Sequence, residues 1–236
     1  IDEKIISKKF ITIGNILNGL QLLTKNLFNL ELEAVMNEDQ ITENLMHKSI
    51  LITDLKIKNS PQKENENEKK IKKIYFDLFK REGKSNDTFS QFTIRGSKNL
   101  NIFQENKNSS SGVSQTPIVI LATNFEVTEL DLLNMPISFT DAKNILHEFG
   151  HVMHSCLSET DFQSLSGSRV PLDFAEIPSH FFEYFIFDYN FCKSFMKDKS
   201  TNNPIDQNLH KLLSSQSQMF ANFDLQNTLH YSIFDL

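Results

Sequence analysis

Ile145 to His154 read ILHEFGHVMH, and no other stretch constrains the fold as tightly. His147 and His151 stand four positions apart, with Glu148 directly after the first. At about 100° per residue, helical positions i and i+4 share one face a single turn apart, so two imidazoles can reach one metal ion with Glu148 pointing beside it. Ala142, Ile145, Leu146, Phe149 and Met153 form the opposite, apolar face. Thr140 is expected to N-cap this helix, which would run from Asp141 to about Leu157.

That arrangement suits a zinc peptidase. Zinc held by three protein groups keeps a fourth position for water and lowers that water's pKa to about 7. His147 and His151 are the expected histidine ligands, and Glu148 is the expected base that takes the water's proton. A third ligand has to come from another element. Asp173, Glu176 and Glu183, in DFAEIPSHFFE, all suit a His2Glu site, and their spacing does not choose among them. His154, three positions beyond His151, reads as a packed or supporting histidine. A closed structural zinc site would normally take four Cys or His ligands, and Cys156 and Cys192 lie off that spacing. Both read as core residues.

Composition removes other classes. A chain of 236 residues makes one domain or slightly more. Its 24 basic and 30 acidic residues give a net charge of −6, which offers no general basic surface for nucleic acid or an anionic membrane. No apolar run approaches the ~20 residues of a spanning helix.

Along the chain, Phe10 to Leu32 carries apolar residues at helical spacing and reads as one core helix. Ser49 to Lys58 and Ile74 to Lys80 read as a hairpin around a polar loop, Asn59 to Lys73. Phe92 to Arg95 and Ile118 to Phe125 repeat the arrangement around Gln104 to Gln115. Asp173 opens a helix to about Asp188, and Ile205 to Leu236 reads as further helices. The expected class is α+β, mostly α-helical, with a small sheet of about four strands.

The segment His147 to Phe185 resembles the zinc-site core of the thimet-oligopeptidase family. Asp173, Glu176, Pro178 and Ser179 match the family's second motif position by position, and YFDLFKREGK, FTIRG and PIVILATNF (starting at Tyr75, Phe92 and Pro117) stand in the family's order. The resemblance implies a zincin-type helical catalytic domain, one Zn2+ per chain, Glu176 as third ligand and a peptide substrate. Ser166 to Arg169 and Thr160 to Gln163 look more like the intermediate-peptidase branch. That branch implies octapeptide removal from imported precursor proteins in the mitochondrial matrix, with the cytoplasm as the alternative compartment. An extended substrate is expected to pair along a strand such as Ile118 to Phe125.

By the same resemblance, residues 1–236 are expected to be part of a catalytic domain, without the family's N-terminal helical domain or its C-terminal tyrosine-rich segment. His230 and Tyr231 read as members of a packed helix pair. The alternative function is a zinc- and peptide-binding remnant that holds segments without cleaving them.

Overall fold

Thr12 separates two helices at the start of the chain, α1 (Glu3–Phe10) and α2 (Ile13–Phe28). Its hydroxyl accepts the Asn15 N–H at 3.3 Å, satisfying one of the first-turn donors that a helix leaves open. Ile13, Ile16, Leu20 and Leu23 face inward at helical spacing. The helix stops at Asn29, whose φ of 55° is left-handed, a conformation that Asn tolerates better than most residues. Leu30 and Leu32 then follow a period of two and enter strand β1 (Leu30–Ala34). The single helix expected to reach Leu32 is therefore a helix, a cap and a strand.

The computed structural model describes residues 3–34, 50–57, 72–86, 89–99, 114–127 and 132–235. Most of the two polar tracts, Asn59 to Lys73 and Gln104 to Gln115, lies outside those residues. Strands β2 (Leu51–Ile57), β3 (Lys72–Phe79), β4 (Phe89–Arg95) and β7 (Ile118–Phe125) join β1 in one sheet of order β1-β2-β3-β7-β4. The expected antiparallel pairs β2–β3 and β4–β7 are present, and β3 and β7 run parallel. A short ribbon pairs β5 (Lys98–Asn99) with β6 (Ser114–Gln115). The main sheet thus has five strands.

This order overturns one expectation. Strand β7 lies between β3 and β4, so both of its hydrogen-bonding edges are engaged and no substrate can add along Ile118 to Phe125. Among the described strands, β4 forms that edge of the sheet.

The sheet packs on helix α3 (Phe139–Leu157), with the Phe76 and Phe149 rings stacked at 6.3 Å. Ser138, rather than Thr140, caps α3. Its hydroxyl accepts the Asp141 N–H at 3.0 Å, and the Asp141 carboxylate accepts the Ser138 N–H at 3.3 Å. This reciprocal box satisfies two open donors, and Thr140 already lies inside the first turn.

Helices α4 (Leu172–Ala175), α5 (Ile177–Glu183), α6 (Tyr189–Phe195), α7 (Gln207–Ser217) and α8 (Ala221–Asp235) follow, with a 3-10 turn over Tyr184–Phe187. The continuous helix expected from Asp173 to Asp188 is interrupted at Glu176, which closes α4 and opens α5. Pro178 fits the first turn of α5, where its missing N–H costs nothing, but could not sit inside a longer helix without breaking a bond. The shared core includes Ile16 and Leu20 of α2, Phe76 and Leu121 of the sheet, Phe149 of α3 and Phe195 of α6. Helix α8 has no buried residue, so His230 and Tyr231 are exposed rather than packed. No described helix is long and apolar enough to cross a membrane.

Candidate metal centre

One flank of α3 faces α5, and the two helices cross at Gly150. A Cβ at Gly150 would lie 2.5 Å from the Pro178 carbonyl oxygen and 2.6 Å from the Ser179 Cα. The missing side chain therefore lets the two backbones approach closely. The approach brings the start of α5 beside the histidine pair on α3.

His147 Nε2 stands 3.4 Å, and His151 Nε2 3.2 Å, from Glu176 Oε2. These three side chains form one of the two groups of metal-binding type among the described residues. Donor atoms about 2.0–2.2 Å from a tetrahedral Zn2+ are about 3.3–3.6 Å apart, which is close to the separations seen here. Two imidazoles and a carboxylate are also the donor set that leaves one position free for water. The Glu176 side chain is 53% exposed, so that free side opens to solvent.

The electrostatics favour the metal-binding forms. Burial holds His151 below the usual histidine range, against the pull of the Glu176 carboxylate, and so keeps it neutral and able to donate a lone pair. For Glu176, burial acts to raise the pKa, but the Ser179 hydroxyl at 2.7 Å and the imidazoles of His151, His147 and His180 outweigh it and hold the carboxyl ionised. Glu148, half-buried beside them, is pushed up by burial and by the Glu176 charge, with His147 opposing. A carboxylate with raised proton affinity is a better base at neutral pH.

The other sequence candidates separate. Asp173 is exposed on α4 and belongs to neither metal-type group. Glu183 approaches His147 from the opposite ring nitrogen, with Oε1 2.5 Å from Nδ1. His154 also lies outside both groups, and its ring packs edge-on against Phe174 at 6.0 Å. Cys156 is fully buried and its thiol is pushed up to about 12 by that burial, which leaves it protonated and inert. Burial pushes the Cys192 thiol up as well.

Gly150 and Ser179, which set this geometry, carry no spacing signal of their own, because their roles arise only where α5 meets α3 and Glu176. The readable signal was the i, i+7 spacing of Glu176 and Glu183, which places both on the face of α5 turned toward α3.

The whole chain, residues 1–236, matches peptidase family M3. It is similar to the mitochondrial intermediate peptidase of Arabidopsis thaliana, at 36% identity over 162 residues, 69% of this chain and 21% of that protein. Similarity to the Homo sapiens mitochondrial intermediate peptidase is 29% over 235 residues, 96% of this chain and 29% of the relative. For the Schizosaccharomyces pombe mitochondrial intermediate peptidase it is 29% over 250 residues, 97% of this chain and 30% of the relative. The chain thus spans less than a third of the length of these curated relatives.

Proposed function

The chain belongs to peptidase family M3, a family of metallopeptidases, and from that premise we propose that it carries the zinc site of an endopeptidase, with His147, His151 and Glu176 as ligands and Glu148 as general base. The observation that carries this reading is the convergence of His147 Nε2 and His151 Nε2 on Glu176 Oε2 at 3.4 and 3.2 Å. A bound Zn2+ there would supply a polarised scissile carbonyl and a water acidified to near neutrality.

Glu148 takes the proton of the attacking water and returns it to the leaving amine. Hydroxide adds to the carbonyl carbon, the C–N bond breaks, and the transferred proton neutralises the amine. Glu148 ends as it began. Partial burial raises its affinity for that proton, and the fourfold spacing of the histidines leaves its side chain beside the ligands rather than among them.

An extended peptide would add to the edge that β4 forms among the described strands, supplying the main-chain bonds that β7 cannot. The placement is supported by Thr93, whose hydroxyl lies 3.1 Å from Ser155 Oγ, one helical turn beyond His151. The relatives' names, mitochondrial intermediate peptidase, support a peptidase of the mitochondrion; within that reading the substrates are imported precursor proteins and the specific event is release of an octapeptide in the matrix.

Zinc stoichiometry and peptide cleavage on the 236-residue chain test the reading. About one equivalent of zinc should bind to the wild type and to Glu148→Gln, and be lost in His147→Ala. Cleavage by the wild type should fall by about 10²–10⁴-fold in Glu148→Gln. Metal-independent cleavage would overturn the assignment, and zinc bound without any cleavage would leave a peptide-holding site instead.

A further inference from the structure

The second metal-type group consists of His147, His180 and Glu183. It shares His147 with the first group through the other nitrogen of the ring. Two explanations compete: a second ion site, or a support for the first. The distances separate them. His147 Nδ1 and Glu183 Oε1 are 2.5 Å apart, well inside the about 3.3–3.6 Å that separates two ligands of one tetrahedral zinc, and at the short end of a charge-assisted hydrogen bond. With the first ion on Nε2, the nitrogen that faces Glu176, a second ion on Nδ1 would also require His147 to lose its ring proton.

Glu183 is itself held in place. Its Oε2 lies 3.7 Å from Lys143 Nζ, one turn before His147 on α3, and its Oε1 is 3.1 Å from His180 Nδ1. Glu183 is two turns beyond Glu176 along α5, so the two carboxylates bracket the His147 imidazole, one at each nitrogen. His151 differs, because its Nδ1 is buried with no hydrogen-bond partner among the described residues.

We infer that Glu183 is a positioning residue: its carboxylate accepts the Nδ1–H of His147, which fixes the ring's rotation and tautomer and presents Nε2 to the metal. The inference rests on the proposed metal site and deepens it. Free imidazole carries its proton on either nitrogen, so a ligand histidine without such a partner has to change tautomer and turn before it binds. Glu183 makes His147 ready in advance, and His151 has no equivalent among the described residues. Lys143 and His180 hold Glu183 and do not touch the metal.

Two measurements on the 236-residue chain test this. The first is the tautomer of His147 in zinc-free protein, read by long-range proton–nitrogen NMR. The expected form is Nδ1–H in the wild type and in Glu183→Gln, whose amide oxygen can still accept, and a shift toward Nε2–H in Glu183→Leu. An Nε2–H tautomer at His147 in the wild type would overturn the inference whatever zinc does. The second is the zinc dissociation constant, measured against a competing chelator, with circular dichroism confirming that each variant folds. Glu183→Leu should weaken zinc binding about 10–100-fold, Glu183→Gln should recover most of the loss, and His180→Ala should bind like the wild type. Equal affinity in Glu183→Leu and the wild type would overturn the inference, and so would a second zinc equivalent that disappears in His180→Ala. If the wild type binds no zinc, the metal-site proposal falls, while the tautomer result still judges Glu183.

Discussion

Helices α3 and α8 are similar in length and both carry large apolar side chains, yet one is the centre of the molecule and the other is exposed throughout. In α3, Phe139, Ala142, Ile145, Leu146, Phe149, Val152, Met153 and Cys156 recur at helical spacing and are all buried. In α8, Phe223, Leu225, Leu229, Tyr231, Ile233 and Phe234 are all more than half exposed. Turning 100° per residue distributes those six around the helix, so no single stripe can meet a neighbour. Apolar content alone does not bury a helix. What separates the two is whether the apolar positions share a face, and His147 and His151 stand on the flank of the helix where they do.

Substitutions can break or sharpen that contrast. The largest effect is expected at Phe149, which is fully buried and meets Phe76, at 6.3 Å, and Phe182. Phe149→Ala should cost about 3–5 kcal/mol in urea unfolding. A loss below about 1 kcal/mol would mean that α3 is not packed as described.

Next comes Asp77, on the strand beside α3, which Arg81 grips at 2.5 and 2.9 Å and Lys84 reaches at 3.0 Å. Burial acts to raise its pKa, but those two cations outweigh it and hold the carboxyl below its ordinary value. The folded pKa is therefore lower than the unfolded one. The stabilisation is fully present above about pH 4, the unfolded pKa, and is lost as pH falls through the folded pKa. Asp77→Asn should cost about 1–3 kcal/mol at pH 7 and flatten the acid limb of the stability curve. An unchanged acid limb would show that the cluster carries no pH-dependent stability.

Gly150→Ala should cost about 1–2 kcal/mol. Alanine is the better helix former by about 1 kcal/mol, but its Cβ would meet backbone atoms of α5 that cannot rotate away. Because α5 carries Glu176, zinc affinity should fall in the same variant. Stability and zinc affinity both equal to the wild type would show that the helices do not cross this closely. The smallest effect belongs to α8, where Leu229→Ser should change stability by less than about 0.5 kcal/mol. A loss as large as that of Phe149→Ala would erase the contrast between the two helices.

Much of the site was legible beforehand because its first part is local. His147, Glu148 and His151 lie within one turn and a half, where the helical period alone sets which side chains share a face. The two antiparallel strand pairs were also visible, from β-branched runs bounded by polar tracts. Less visible was β1, since Leu30 and Leu32 continue an apolar series that helix and strand share at short range, and only the left-handed turn at Asn29 ends the helix. The position of β7 was hidden for a different reason. Strand order is a matter of long-range pairing, and nothing within Ile118 to Phe125 says whether one edge or both will be occupied.

Residues Phe139 to Leu157 alone specify a helix with two imidazoles on one flank, a carboxylate beside them, and an apolar face to bury. The sequence offered Asp173, Glu176 and Glu183 as candidate partners without ranking them by spacing, and family resemblance favoured Glu176. Only the tertiary structure decided where the three go. The close crossing at Gly150 sets α5 against α3, so that Glu176 reaches the outer nitrogen of His147 and Glu183 the inner one, while Asp173 faces solvent. Helical periodicity is a property of a single segment and can be read from it. The assignment of a carboxylate to one nitrogen of a ring depends on a few ångströms of approach between two segments, and packing fixes that distance.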